Sequence, residues 1–207
     1  MNPQIILASN SPRRRELLAM MGLPFEVIVS DCDETVTENL APDALVRELA
    51  ARKAAAVAET LDRPGDFVVI GADTIVWDNG KALGKPRDAA DARETVLSLA
   101  GHAHSVFTGV ALIGRVNGCE KRVTDAVETQ VVFGEISPED ADWYVSTGEP
   151  LDKAGSYGIQ GKGGVFITGL HGDYYNVVGL PIARLRTMLA DAFGIRMRGA
   201  SGGPAWQ

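Results

Sequence analysis

The sequence predicts an elongated α/β domain built on a mixed, twisted β-sheet with flanking helices. Segments with helix-start signals and helical spacing of apolar residues alternate with short apolar runs typical of buried strands. Two Asn-Gly pairs, at 79–80 and 117–118, lie between strand-like segments and predict tight β-hairpins. Hairpins join antiparallel strands, whereas helical connections favour parallel ones, so both kinds of pairing are expected in one sheet.

The first half of the chain is predicted to contain three strands and two helices. The segment Ser-Asn-Ser-Pro at 9–12 supplies an N-cap candidate and a proline suited to the first helical turn, and Gly22 supplies a stop. Apolar residues recur every four positions along the alanine-rich second helix, and Lys53 shares that spacing. In order, the elements are predicted at residues 4–8 (strand), 12–21 (helix), 25–29 (strand), 42–60 (helix) and 66–72 (strand), with an acidic loop over 30–40.

The second half is predicted to contain two hairpins and three helices. The third strand is expected to end at Asp73 and Thr74, and residues 149–175 are expected to form a glycine-rich loop. The remaining elements are predicted at 74–77 and 81–83 (hairpin), 88–100 (helix), 105–116 and 120–133 (hairpin), 138 to about 148 (helix) and 181–193 (helix). We therefore expect a single domain over residues 1–194, followed by a flexible tail over 195–207.

Composition and charge exclude several classes of partner. Among the 207 residues, Lys and Arg number 20 against 27 Asp and Glu, which gives a net charge of −7 and disfavours general binding to nucleic acid or anionic membranes. No apolar stretch approaches the length of a membrane span. The N-terminal arginines follow the first apolar run, which is the reverse of a secretion signal, so a cytoplasmic protein is expected. The two cysteines, Cys32 and Cys119, are expected to be buried free thiols.

Three arginines at the start of the first predicted helix indicate an anion site. Arg13, Arg14 and Arg15 occupy the positive end of the helix dipole, where acidic residues are normally preferred. Unpaired helix amides and guanidinium groups together suit a phosphate. The alternative is that the arginines extend into solvent and pair with Glu16 or the acidic loop.

Candidate acid–base and cationic residues follow later in the chain. Asp73 comes after a buried strand, a placement that delivers a carboxylate to a cleft, where it can hold Mg²⁺ or activate water. A strand-end aspartate bonded to loop amides is the alternative. Glu34 gains interest if the acidic loop folds toward Asp73. Lys53 lies at or near a buried helix face, and Lys85 precedes a proline in a stiff loop.

These segments together resemble the Maf family of nucleotide pyrophosphatases, also described as septum-formation inhibitor proteins. The matching segments follow the family order and span about residues 5–190. They are ASNSPRRRELL at 8–18, DCDET at 31–35, RKAAAVA at 52–58, GADTIV at 71–76, LGKP at 83–86, EPLDKAGSYGIQG at 149–161 and NVVGLP at 176–181.

The resemblance implies an α/β fold with a deep cleft between two lobes, often as a homodimer. It implies hydrolysis of a nucleoside triphosphate to the monophosphate and pyrophosphate with a divalent cation, Mg²⁺ or Mn²⁺. Asp73 would be the catalytic acid–base, with Glu34 and Asp73 at the metal. The phosphate-binding residues that it implies are Ser9, Arg13, Arg14, Lys53 and Lys85.

The resemblance also indicates a substrate class. Arg13, Thr74 and Gln160 fall where the branch acting on dTTP and UTP has its specificity residues, and the amide of Gln160 suits the paired edge of thymine or uracil. Two alternatives stay open: the sister branch that acts on 7-methyl-GTP, and a nucleotide-binding regulator of septum formation.

Overall fold

A seven-stranded mixed sheet forms the centre of the protein, for which the computed structural model describes residues 3–36, 40–61 and 65–197. The strands are β1 (Gln4–Leu7), β2 (Phe25–Val27), β3 (Phe67–Asp78), β4 (Lys81–Leu83), β5 (Ala103–Val116), β6 (Cys119–Phe133) and β7 (Ile167–His171). Their order is β2-β1-β3-β5-β6-β7, with β4 also paired to β3. β1 is parallel to β2 and β3, and the other pairs are antiparallel, so the predicted mixed sheet is confirmed.

Six helices flank the sheet. They are α1 (Pro12–Ala19), α2 (Pro42–Thr60), α3 (Ala89–Ser98), α4 (Pro138–Ser146), α5 (Tyr174–Val178) and α6 (Ile182–Phe193). Ser11, Asp88 and Ser137 cap the starts of α1, α3 and α4 through side-chain oxygens that accept backbone N–H bonds. The cap of α1 lies within the segment 9–12 that supplies the N-cap candidate in the sequence.

Three clusters of buried apolar residues divide the fold into two lobes. In one lobe, α1 and α6 cover one face of the sheet and α2 covers the other. In the second lobe, α3 and α4 pack with the far ends of β3, β5 and β6 around Phe133 and Tyr144. The long strands β3 and β5 run through both lobes, so the cleft between the lobes has the sheet as its floor.

Two glycines let α2 lie directly on the sheet. A Cβ atom built on Gly71 of β3 would be 2.2 Å from the carbonyl oxygen of Ala50, and one on Gly109 of β5 would be 2.1 Å from that of Val46. Both contacts are shorter than a side chain tolerates, and both involve helix backbone. Only glycine therefore allows this spacing between helix and sheet.

Two expectations about the elements are wrong. The third strand does not end at Asp73, because β3 continues to Asp78 in an unbroken antiparallel pairing with β5. Residues 149–175 are not only loop: they form three short 3₁₀ turns, the edge strand β7 and the start of α5. Exposed or glycine-rich sequence hides this strand, which depends on pairing with β6 rather than on an apolar run.

The last described residues pack on the core, and neither cysteine is buried. Ile195 and Met197 pack against the core of the first lobe, and the rest of the predicted tail, residues 198–207, lies outside the described residues. Cys32 is half-buried and Cys119 exposed, so the expectation of buried thiols is wrong, since both lie in or beside exposed connections. No helix in the described part of the chain has the length and apolar character needed to cross a membrane.

Candidate active site

A cavity of about 1140 Å³ lies between the two lobes. Every site residue predicted from the sequence lines it: Ser9, Arg13, Arg14, Glu34, Lys53, Asp73, Thr74, Lys85 and Gln160. These residues come from six separate segments, and the fold brings all of them to one space.

The cavity opens where one edge of β3 has no strand beside it. β1 pairs with β3 only over 67–70, and β4 pairs only over 76–78, which leaves 71–75 unpaired on that edge. Asp73 and Thr74 lie in this gap. Because successive side chains of a strand point to opposite faces, Asp73 contacts α2 while Thr74 contacts α1 on the other side. The gap therefore gives one cavity access to both faces of the sheet.

An ion pair buried on the α2 side joins Lys53 to Asp73. Lys53 Nζ lies 2.5 Å from Asp73 Oδ1 and 3.2 Å from Glu34 Oε1. Lys53 and Asp73 are 9% and 7% exposed, whereas the side chain of Glu34 is 59% exposed. The acidic loop thus folds toward Asp73, which is the condition under which the sequence makes Glu34 a candidate site residue. The Asp73 Oδ2 atom has no hydrogen bond to any residue within the described ranges and is available to water.

Arg14 presents a positive charge with only neutral partners. Its Nε donates to the carbonyl of Gly179 (2.9 Å), one Nη to Thr74 Oγ1 (3.1 Å) and the other to Ser9 Oγ (3.5 Å). Burial lowers the pKa of Arg14, although the negative charge of Asp73 acts in the opposite direction. A guanidinium nevertheless stays protonated in proteins. A half-buried arginine without a carboxylate partner is typical of an anion site.

Further cationic and donor groups surround Arg14. Ser11 caps α1 by accepting from the Arg14 amide, and Ser9 Oγ accepts from the Ser11 amide at 3.2 Å. Arg13 and Lys85 line the same cavity, and neither forms an ion pair with a described residue. Arg13 and Arg14 therefore face an anion-binding space, whereas Arg15 is exposed and does not line the cavity. Within the described residues, none of the three forms an ion pair with Glu16 or with the acidic loop.

A second wall of the cavity depends on Glu149, which sequence reasoning did not select. Its carboxylate accepts the Tyr144 hydroxyl (2.9 Å) and the amides of Lys162 (2.8 Å) and Gly163 (3.2 Å). Burial raises the pKa of Glu149, but these hydrogen bonds outweigh it and lower the pKa overall. The network fixes the turn on which the exposed side chain of Gln160 lies. The only sequence signal was the acidic position inside EPLDKAGSYGIQG.

The same wall contains a second feature that the sequence pattern did not rank. Lys153 Nζ donates to Asp152 (2.7 Å) and to the backbone carbonyl of Glu149 (2.7 Å), so this lysine is already partnered. Asp152 also lies close enough to Arg13 for that positive charge to contribute to lowering its pKa, after the larger effect of Lys153. The charged groups of this wall are therefore already paired, and we call it the polar wall. The Arg14 wall, whose positive charge has no carboxylate partner among the described residues, is the cationic wall.

The donor set near Lys53 fits a hard cation shared with a ligand. Within the described residues, no group of three His, Cys, Asp or Glu side chains forms a closed metal site. Asp73 and Glu34 nonetheless approach one point from two elements, and both face the cavity. Mg²⁺ is commonly held by one or two carboxylates together with substrate phosphates and water. The residues therefore fit such a cation and do not fit a structural metal.

Comparison with known proteins gives the same family as the sequence motifs. The family model described as Maf-like protein matches residues 4–192. A dTTP/UTP pyrophosphatase of Bacillus cytotoxicus is 53% identical over 182 residues, which cover 88% of this chain and 92% of that protein. A dTTP/UTP pyrophosphatase of Bacillus thuringiensis subsp. konkukian is 52% identical with the same coverage.

A solved structure gives a more distant likeness. The nucleoside-triphosphatase, or dITP/XTP pyrophosphatase, of Mycobacterium abscessus aligns over 92% of this chain and 98% of that one, at 17% identity and a TM-score of 0.43. The family assignment rests on the sequence matches, which span nearly the whole domain. The chain belongs to the family of Maf-like proteins.

Proposed function

We propose that this protein is a pyrophosphatase that hydrolyses dTTP and UTP to the nucleoside monophosphate and pyrophosphate. One observation carries the proposal: a carboxylate held by a buried lysine and a cationic wall without carboxylate partners face the same cavity. The first arrangement suits proton transfer and the second suits a polyphosphate. The names of the relatives at 52–53% identity support dTTP and UTP as the substrates.

The triphosphate is expected to lie along the Arg14 wall. Arg14, Arg13 and Lys85 supply positive charge, and Ser9 supplies a hydroxyl proton, because its oxygen already accepts two bonds and its proton is unused. Pyrophosphate leaves with more negative charge than the bound substrate carries on those oxygens. Fixed cations at that end therefore stabilise the transition state more than the ground state.

Asp73 is the proposed general base. Its Oδ1 is held by Lys53, and its Oδ2 takes a proton from water as that water attacks the α-phosphorus. The bond from the α-phosphorus to the bridging oxygen breaks, and the electron pair leaves with pyrophosphate. Lys53 orients the carboxylate and lies near enough to the cavity to contact a phosphate oxygen.

Asp73 and Glu34 are the proposed ligands of a divalent cation, Mg²⁺ or Mn²⁺. Such a cation, when bound with the substrate, neutralises phosphate charge and makes water more acidic. Glu34 is the more exposed of the two carboxylates and is therefore free to turn from Lys53 toward a ligand.

The nucleoside end is assigned to the polar wall. Gln160 is exposed into the cavity and offers both a donor and an acceptor, which suits the imide edge of thymine or uracil. Thr74 and Arg13 line the same cavity. We propose that these three residues select the base.

Pyrophosphate release from a panel of nucleoside triphosphates, with Mg²⁺ or Mn²⁺, tests the proposal. Turnover of dTTP and UTP is expected, and Asp73→Asn should remove it while nucleotide binding persists. Asp142→Asn is the matched control, because Asp142 pairs with Arg93 on the surface and is exposed. Preferred turnover of 7-methyl-GTP would place the protein in the sister branch. Saturable binding without hydrolysis would favour a regulator.

Two further expectations stay predictions, the homodimer from the resemblance and the cytoplasmic location from the N-terminal sequence. The protein is proposed to form a homodimer and to reside in the cytoplasm. Light scattering during size-exclusion chromatography tests the dimer, and fractionation of cells tests the location.

A further inference from the structure

Thr108 does not line the cavity, yet it determines the hydrogen-bonding character of Thr74, which does. Thr108 is fully buried on β5, and its Oγ1 donates to the backbone carbonyl of Asn176 at 2.8 Å. The same oxygen lies 2.9 Å from Thr74 Oγ1. A hydroxyl has a single proton, and that of Thr108 is used on a carbonyl, which can only accept. Thr74 must therefore be the donor between the two threonines.

The backbone carbonyl of Asn176, which ends this series of hydrogen bonds, is held in place by the core. Asn176 is fully buried, and its Nδ2 donates to the carbonyl of Val106 (2.9 Å) and to Thr129 Oγ1 (3.0 Å). Thr129 is also fully buried and accepts the amide of Asp173 at 3.0 Å. Turning the Thr108 proton away would leave a buried carbonyl without this donor, which is costly. The core thus fixes the donor-to-acceptor direction of these hydrogen bonds.

Thr74 consequently has no proton to offer the cavity. Its hydroxyl donates to Thr108 and accepts from Arg14 at 3.1 Å, so only a lone pair remains. Ser9 is the opposite case, because its oxygen accepts from the Ser11 amide and from Arg14 and its proton stays free. An ionised phosphate oxygen only accepts. It therefore suits Ser9 and Arg14 and is a poor partner for Thr74.

We propose that Thr108 is a positioning residue that makes Thr74 an acceptor toward the nucleotide, so that this position selects an N–H donor on the base. Uracil and thymine have an N–H at ring position 3, whereas cytosine has an unprotonated acceptor there. The inference rests on the proposed function and extends it, because it gives a physical reason for preferring UTP over CTP.

The test compares the UTP-to-CTP ratio of kcat/KM in the wild type, Thr108→Val and Thr108→Ser. Valine keeps the shape but cannot accept, so the Thr74 proton becomes free to turn into the cavity. The ratio is then expected to fall about tenfold, which corresponds to about 1.4 kcal/mol, because the N–H of the base loses its acceptor. Serine keeps the hydroxyl and is expected to keep the ratio. Thr108→Ala serves if the valine variant does not fold, as judged by thermal unfolding.

The outcomes separate the inference from the proposed function. If the wild type does not hydrolyse UTP or dTTP, the proposed function fails. If it hydrolyses UTP but the ratio is unchanged in Thr108→Val, the inference is overturned and the proposed function stands. Equal losses for UTP and CTP would also overturn the inference, because Thr108 would then act only through Arg14 and the phosphates.

Discussion

The ammonium of Lys53 lies 2.5 Å from the carboxylate of Asp73, and both residues are more than nine-tenths buried. The pair joins the middle of α2 to the middle of β3. Buried ion pairs seldom stabilise a fold more than apolar residues of the same size, because both charges lose their hydration. This pair is therefore expected to serve activity rather than stability.

Lys53→Met should destabilise the protein by about 3–5 kcal/mol, because it leaves Asp73 buried without its cation. The double variant Lys53→Met/Asp73→Leu should recover most of this loss, while remaining inactive. Urea unfolding of the two variants measures both effects. A double variant that is as unstable as the single one would show that the pair stabilises the fold itself.

Arg14→Met should weaken binding of pyrophosphate, because the variant loses a guanidinium whose partners among the described residues are all neutral oxygens. Pyrophosphate at about 100 times its Kd should raise the Tm of the wild type by roughly 5–10 °C. The variant should show little of this rise. Arg186→Met, at an exposed position on α6, is the control and should keep it. A full rise in the Arg14 variant would contradict the placement of the phosphates.

Glu149→Gln should raise KM for UTP more than it lowers kcat. The carboxylate accepts three hydrogen bonds, and an amide in its place turns a donor toward groups that also donate. Loss of such bonds costs about 1.5–3 kcal/mol and should loosen the turn that holds Gln160. Hydrogen exchange over 158–163 and steady-state kinetics are the measurements. An unchanged KM with faster exchange would mean that the turn does not contact the substrate.

Glu34→Gln should raise the concentration of Mg²⁺ needed for half-maximal activity and leave stability nearly unchanged. Its side chain is more than half exposed, so the fold gains little from its contact with Lys53. Titration of the metal at saturating UTP measures the shift, and a chelator should abolish activity in both proteins. The same half-maximal concentration in wild type and variant would remove Glu34 from the metal site.

Stability should fall as the pH drops from about 6.5 toward 4, because burial lowers the pKa of His104 to about 4. In that interval the unfolded chain binds a proton that the folded protein does not, so unfolding becomes easier. The loss should reach about 3 kcal/mol at the lower end. Urea unfolding at several pH values measures it, and His104→Gln should flatten this part of the curve.

His102 provides the opposite sign for comparison. The hydrogen bond that His102 Nε2 donates to the Asp78 carboxylate raises the pKa of His102, so the contribution of His102 is greatest below pH 6.5 and is lost as the pH rises through the raised pKa. His102→Gln should therefore lower stability by a constant amount below pH 6.5 and remove the loss that accompanies a rise in pH above 6.5. The acid loss between pH 6.5 and 4 should keep its slope in this variant, and a flatter acid loss would contradict the assignment of the two histidines.

The sequence predicts the site residues better than it predicts the elements that hold them. Arginines at the positive end of a helix and an aspartate directly after a buried apolar run are charges in unfavourable places. Such misplaced charges can be recognised from the sequence alone. The hydrogen-bond partners of Glu149 and the chain from Thr74 to Asn176 join residues far apart in sequence, and no local pattern specifies them.

Asp73 illustrates why the sequence misses the setting of a correctly chosen residue. The residues after it were assigned to a hairpin, and the hairpin is present, with Asn79 and Gly80 at positive φ. The strand nevertheless continues unbroken through Asp73, because β5 pairs with it from Phe67 to Trp77. What makes Asp73 accessible is the short length of β1 and β4 on the other edge, a property of its neighbours.

The glycines beneath α2 have a consequence for how activity can be lost. The distance between Lys53 and Asp73 depends on how closely α2 lies on β3 and β5. The absence of side chains at Gly71 and Gly109 allows this close contact. A single methyl group at either position would lift the helix and part the charges, although neither glycine lines the cavity or bears a charge. A substitution at either glycine would therefore reduce activity by displacing the helix that carries Lys53, and not by removing a catalytic group.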